Sequence, residues 1–191
     1  MSLALLPILL LGAIQAQADF RKQAADRRSD LQLAASRSAA STKAKLDSAF
    51  VLLEALSPET ASPYCEPRMT SLVNRLEDFE ALFRVSATGE ALCASRPAKV
   101  YASSEVIRST AWFQRLKNGE DAVVLRSPGA SDAEPALIAA LRVERPMGRF
   151  DGAMAAVVPL RALQPDVTDP ALPKGAQAAL TGAEGNRLTA T

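Results

Sequence analysis

The chain predicts an α+β fold, in which one antiparallel sheet of about five strands is accompanied by a long N-terminal helix and short flanking helices. Three observations carry that expectation. Residues 19 to 56 contain neither Gly nor Pro and are crowded with Ala, Arg, Lys, Gln and Leu, all tolerated or favoured in helices. Beyond them come short apolar runs containing β-branched residues and bounded by Gly or Pro, the pattern of strands. At 191 residues the chain has room for one ordinary domain and a helical extension.

The elements follow in order. Leu3 to Ile14 is apolar, and no charge appears before Asp19. A membrane-spanning helix needs about 20 apolar residues and a signal-peptide core about 7 to 15, so two readings compete. Ala16-Gln17-Ala18 has the small-x-small form of a cleavage site, yet no positive segment precedes the run and Asp19 leads directly into helix-forming sequence. Residues 1–18 are read as part of an uncleaved membrane anchor whose beginning lies outside the chain. The alternative is a secreted protein released after Ala18.

Residues 19–57 form the long helix, about 55 Å at the usual rise per residue. Leu46, Ala49, Phe50, Leu53 and Leu56 share one face, so its second half packs on a domain. The first half offers only Leu31, Leu33 and alanines, which suits either a solvated spacer or a helix that pairs with a second copy; a homodimer is expected. Ser57-Pro58-Glu59 and Ser62-Pro63 end the helix. A loop with Tyr64 and Cys65 leads to a short helix from Pro67, with Met69, Leu72, Val73 and Leu76 on one face. Phe79 to Ser86 and Ala91 to Ala94 read as a hairpin turning at Ala87-Thr88-Gly89-Glu90. Thr110 to Leu116 reads as a helix closed by Asn118-Gly119. Ala122 to Arg126, Ala136 to Glu144 and Gly152 to Leu160 read as three more strands, although their alanines would also suit helices.

Composition excludes much chemistry. Lys and Arg total 22 against 21 Asp and Glu, which implies no basic face for nucleic acid. The chain has no histidine, so imidazole bases and Ser-His or Cys-His nucleophile pairs are excluded. Two cysteines without histidine make no metal site, and no cofactor is expected. Glu77, Asp78 and Glu80 fit a solvated acidic edge better than an acid-base pair. Gly148 and Gly152 lack the Lys-Ser or Lys-Thr that would follow in a phosphate loop. By itself the chain is not expected to be an enzyme. In an oxidising compartment Cys65 and Cys93 form a disulfide, which would stabilise the fold by about 3 to 4 kcal/mol on the chain-entropy model. Two buried free thiols are the alternative.

The order of parts carries a resemblance: the long helix, the Ala87-Thr88-Gly89-Glu90-Ala91-Leu92-Cys93 hairpin, the Trp112-Phe113 helix, and a last strand running from Gly152 into Leu160-Arg161-Ala162-Leu163. It resembles Cache-type sensors, extracytoplasmic relatives of the PAS fold, in particular those of sensor histidine kinases of the HWE and related classes. The resemblance covers about Asp19 to Leu163. Gly89 matches the hairpin Gly, Trp112-Phe113 the aromatic pair of the pocket helix, and Gly148 with Gly152 the turn into the last strand. Where the family has Asp-Arg before the aromatic pair, this chain has Ser109-Thr110-Ala111, and Arg108 lies out of register.

That resemblance implies a PAS-like/Cache sensor domain at 58–164, periplasmic, held in the inner membrane, and signalling through the long helix to a cytoplasmic histidine kinase. A diguanylate cyclase or chemoreceptor would use the same input. The stimulus is an unknown small molecule or protein, with Trp112 and Phe113 as candidate ligand-binding residues. If Arg108 or Arg126 reaches that pocket, the ligand would be anionic; either could equally be a surface cation. Residues 165–191 read as a linker with Pro165, Pro170 and Pro173, then two short runs around Gly182-Ala183-Glu184-Gly185 that echo the first hairpin. They open a second Cache-like module or add an edge hairpin to the single domain.

Overall fold

The computed structural model describes residues 6–58, 64–95, 103–127 and 136–164, together with short pieces between 172 and 190. The expected linker prolines, the turn at 182–185, and Pro63 and Pro135 lie outside the described residues. Helix α1 (Leu6–Leu56) is continuous over 51 residues, so the apolar run and the polar helix form one element. At 1.5 Å per residue it is about 75 Å long. Among the described residues no helix is long and apolar enough to cross a membrane.

Helix α2 (Cys65–Val73) begins two residues earlier than Pro67 suggested, and Pro67 sits in its first turn, where no N–H is needed. Strands β1 (Ala81–Val85) and β2 (Ala91–Ala94) form the hairpin. Helix α3 (Ser104–Ser109) was not foreseen. It is capped by Ser103, whose side chain accepts from the Val106 N–H, and it abuts α4 (Ala111–Lys117) at Thr110. Then come β3 (Ala122–Ser127), β4 (Ala136–Arg145) and β5 (Arg149–Pro159), followed by a 3-10 turn at Leu160–Leu163. The alanine-rich runs are strands. Strand β5 starts at Arg149 rather than Gly152. A short ribbon of β6 (Ala179–Thr181) and β7 (Arg187–Ala190) forms a separate two-stranded sheet.

The five strands lie in the order β2-β1-β5-β4-β3, all antiparallel. Helices cover both faces of the sheet, which is why β1 is buried at every residue instead of alternating. On one face Leu53 and Leu56 of α1 and Met69 of α2 pack with Leu82, Cys93, Met154 and Ala156. Lower on that face Leu137, Val158, Leu160 and Leu163 meet Leu46. On the opposite face Ile107, Trp112, Phe113 and Leu116 pack over Phe83, Val85, Val123, Ala140, Ala153 and Ala155. The alanines let α3 and α4 settle close to the strands.

Gly152 marks a point of the central strand β5 where the chain leaves no room for a side chain. Its φ is +104°, and a Cβ there would stand 2.1 Å from the Val85 carbonyl oxygen. The start of α1 behaves differently from its end. Every residue from 15 to 33 is exposed, while Ala49, Leu53 and Leu56 are buried.

Candidate functional site

The sheet face under α3 and α4 gathers the aromatic side chains. Trp112 meets Phe83 edge-on at 6.2 Å and Phe113 at 5.7 Å, and Phe113 meets Phe150 at 5.5 Å. Trp112 is 5% exposed and Phe113 1%. The helical spacing read in the sequence therefore brings the pair together, on the apolar side of α4. Arg142 holds this arrangement in place: its guanidinium lies 5.0 Å from the Phe150 ring centroid, donates to the Leu116 carbonyl and pairs with Glu144 at 2.7 Å. A cation on the last carbonyls of α4 also complements the helix dipole.

The two candidate arginines lie elsewhere. Arg108 is exposed at the end of α3, where its stem lies against Gly89 and its Nη1 reaches the Thr88 carbonyl at 3.5 Å. Its backbone carbonyl accepts from Gln114 Nε2 at 2.6 Å. Arg126 is exposed on the edge strand β3, opposite Leu137. Of the acidic trio, Asp78 serves Lys45 at 3.7 Å, and Lys45 also donates to the Ala162 carbonyl.

A charge cluster that no local sequence pattern announces stands at the end of the sheet, where the β1–β2 and β4–β5 turns lie side by side. Arg84 is 3% exposed and donates to the carbonyls of Val85, Asp151 and Ala153. Its Nη2 lies 3.2 Å from Asp151 Oδ2, and Arg145 Nε lies 2.6 Å from Oδ1 of the same carboxylate. Arg84 Nε has no partner among the described residues. Burial lowers the Arg84 pKa, Asp151 opposes that, and Arg145 adds to it, but a guanidinium starts so high that it stays charged. Beside this cluster runs a groove of about 430 Å³, bordered by Ser86, Thr88 and Leu92 of the first hairpin and by Arg145, Arg149, Phe150 and Asp151 of the second. A second groove of about 350 Å³ separates Arg37, Ser41 and Lys45 of α1 from Leu163 and Gln164.

Cys65 and Cys93 are joined as a disulfide with Cα atoms 6.1 Å apart, and Met69 Sδ lies 3.4 Å from Cys93 Sγ. The bond ties α2 to the edge strand β2. Beside it Thr70 donates to the Ser95 carbonyl at 2.8 Å. Among the described residues no group of three or more Cys, Asp or Glu side chains could hold a metal ion.

No family model and no curated protein matches the chain. Solved structures do. The sensory domain of the Campylobacter jejuni chemoreceptor Tlp3 superposes with a TM-score of 0.62 at 13% identity, covering 91% of this chain and 74% of that one. The extracellular domain of rpHK1S-Z16, which carries a histidine-kinase assignment, gives 0.52 at 18% identity over 74% of this chain. The ligand-binding domain of the Pseudomonas aeruginosa PAO1 amino acid chemoreceptor PctC, in complex with GABA, gives 0.52 at 18% identity over 68%. The chain spans 58% of the length of the rpHK1S-Z16 domain and 62% of the PctC domain. With its long helix and five-stranded antiparallel sheet, the chain has the Cache-like fold of the sensor domains of histidine kinases and chemoreceptors.

Proposed function

We propose that this chain is the extracytoplasmic signal-sensing domain of a membrane-bound sensor histidine kinase of the two-component type, reading a small-molecule stimulus and passing it through α1 to a cytoplasmic output. The observation that carries the reading is the division of α1 within this fold. Its last turns are part of the core through Leu53 and Leu56, while residues 15 to 33 are exposed and, among the described residues, belong to no core cluster. A shift of the sheet against α1 would therefore be delivered at the far end of a rigid rod. The apolar run from Leu3 fits a membrane anchor, and the exposed half of α1 fits a contact with a second copy. The ligand would sit on the α3–α4 face beside Trp112 and Phe113, where the aromatic side chains gather; the PctC domain of the same fold is in complex with GABA, which fits a small-molecule stimulus.

A chemoreceptor input is the second reading, favoured by the 91% of this chain that superposes on the Tlp3 domain. Both outputs use the same two-state logic, so ligand capture tests what they share. Native mass spectrometry of the domain purified without added ligand should show a small molecule travelling with it. A clean apo mass, unchanged by GABA and other amino acids, would contradict small-molecule sensing and favour a protein stimulus.

A further inference from the structure

A ligand cannot reach the aromatic face as it stands. Trp112 is 5% exposed and Phe113 1%, and Ala140, Ala153 and Ala155 beneath them are fully covered. Whatever binds there must first move α4, so what holds α4 on the sheet decides when the face opens. Seven residues are too few for a helix to keep its shape alone in water, and α4 depends on its contacts. Trp112, Phe113 and Leu116 hold it from below. Gln114 Nε2 donates to the Arg108 carbonyl at 2.6 Å, which joins α4 to α3 as one cover. Just past α4, Gly119 has φ +110° and open space around it, so the chain is free to turn there.

Arg142 closes that free end. Its Nη1 donates to the Leu116 carbonyl and reaches the Lys117 carbonyl at 3.5 Å, while its Nη2 reaches the Gly148 carbonyl of the β4–β5 turn at 3.5 Å. Its backbone N–H donates to the Asp121 carbonyl at 2.8 Å. The side chain is 10% exposed, so water replaces these bonds poorly. One guanidinium thus ties the end of α4 to the hairpin that carries Phe150, over whose ring it lies. Apolar contact is non-directional and tolerates sliding, whereas hydrogen bonds to carbonyls weaken steeply with angle. We propose that α3 and α4 form a movable cover over the aromatic face and that Arg142 is its latch, a positioning residue whose bonds to the last carbonyls of α4 keep the face shut. The inference rests on that face being the ligand side. The latch is tested without ligand, so its failure would leave the sensor reading standing.

Trp112 is the only tryptophan of the chain, so its fluorescence reports on the cover directly. In the full chain carrying Arg142→Met, which keeps a stem against Phe150 and loses the side-chain hydrogen bonds, acrylamide should quench Trp112 severalfold more efficiently. The amides of Gln114 and Asn118, bonded within α4, should exchange about tenfold faster or more, as expected for losing hydrogen bonds from a charged group. Strands β1 and β5 should keep their protection. Arg142→Lys, which keeps the charge but cannot fork to two carbonyls, should lie between the two. Quenching and exchange unchanged in Arg142→Met would overturn the latch, because the apolar side of α4 would then hold it alone. Exchange rising equally in α4, β1 and β5 would also overturn it, since Arg142 would then add only to global stability. Should Arg142→Met not fold, α4 exchanging in Arg142→Lys as in the unchanged chain would overturn the proposal as well.

Discussion

Arg84 is the residue on which the sheet end depends. It occupies a central-sheet position between Cys93 and Met154, where an apolar residue would be expected, and it satisfies carbonyls on two strands while neutralising Asp151. Removing one partner of such a buried pair leaves the other group poorly compensated, whereas an apolar replacement of similar length is tolerated better. Arg84→Ala should lower the stability to denaturant by about 3 kcal/mol or more, and Arg84→Met by clearly less. Equal losses for the two would show that packing alone matters there. Trp112 and Phe113 were legible because helical spacing is local. Arg84, Arg142, Arg145 and Arg149 were not, because which arginine meets which partner depends on the β1–β5 and β4–β5 registers, and no local pattern in the sequence sets those.

At the scale of elements, the strands and the two main helices could be read from Gly and Pro punctuation and from apolar runs, while α3 could not. Its six residues, Ser-Glu-Val-Ile-Arg-Ser, bury only Ile107, so no periodicity announced it and the Ser103 cap was its only signal. The start of α2 lies two residues before Pro67, because proline fits any first-turn position and so marks the turn without fixing its first residue. The disulfide was legible from export logic, and its placement gives it a definite task. Strand β2 is at the sheet edge, and the bond pins it to α2 across a sequence separation of 28 residues. Replacing both cysteines by serine should cost about 3 to 4 kcal/mol and lower the thermal midpoint, with β2 and α2 losing amide protection first. Uniform loss of protection across the sheet would mean that this edge has no separate stability.

For the whole molecule, the packing of α1 is the feature with functional weight. One half of the helix is built into the domain and the other is bare over residues 15 to 33, although nothing in its sequence breaks it. Among the described residues the β6–β7 ribbon pairs only with itself, and Leu180 packs beside Leu160 and Leu163. The measurement that tests the account most directly is fractionation of the native protein with protease treatment of intact spheroplasts. The account predicts recovery in the inner membrane, with the sheet domain accessible to protease from outside. Recovery as soluble periplasmic protein with Asp19 at its N-terminus would contradict it.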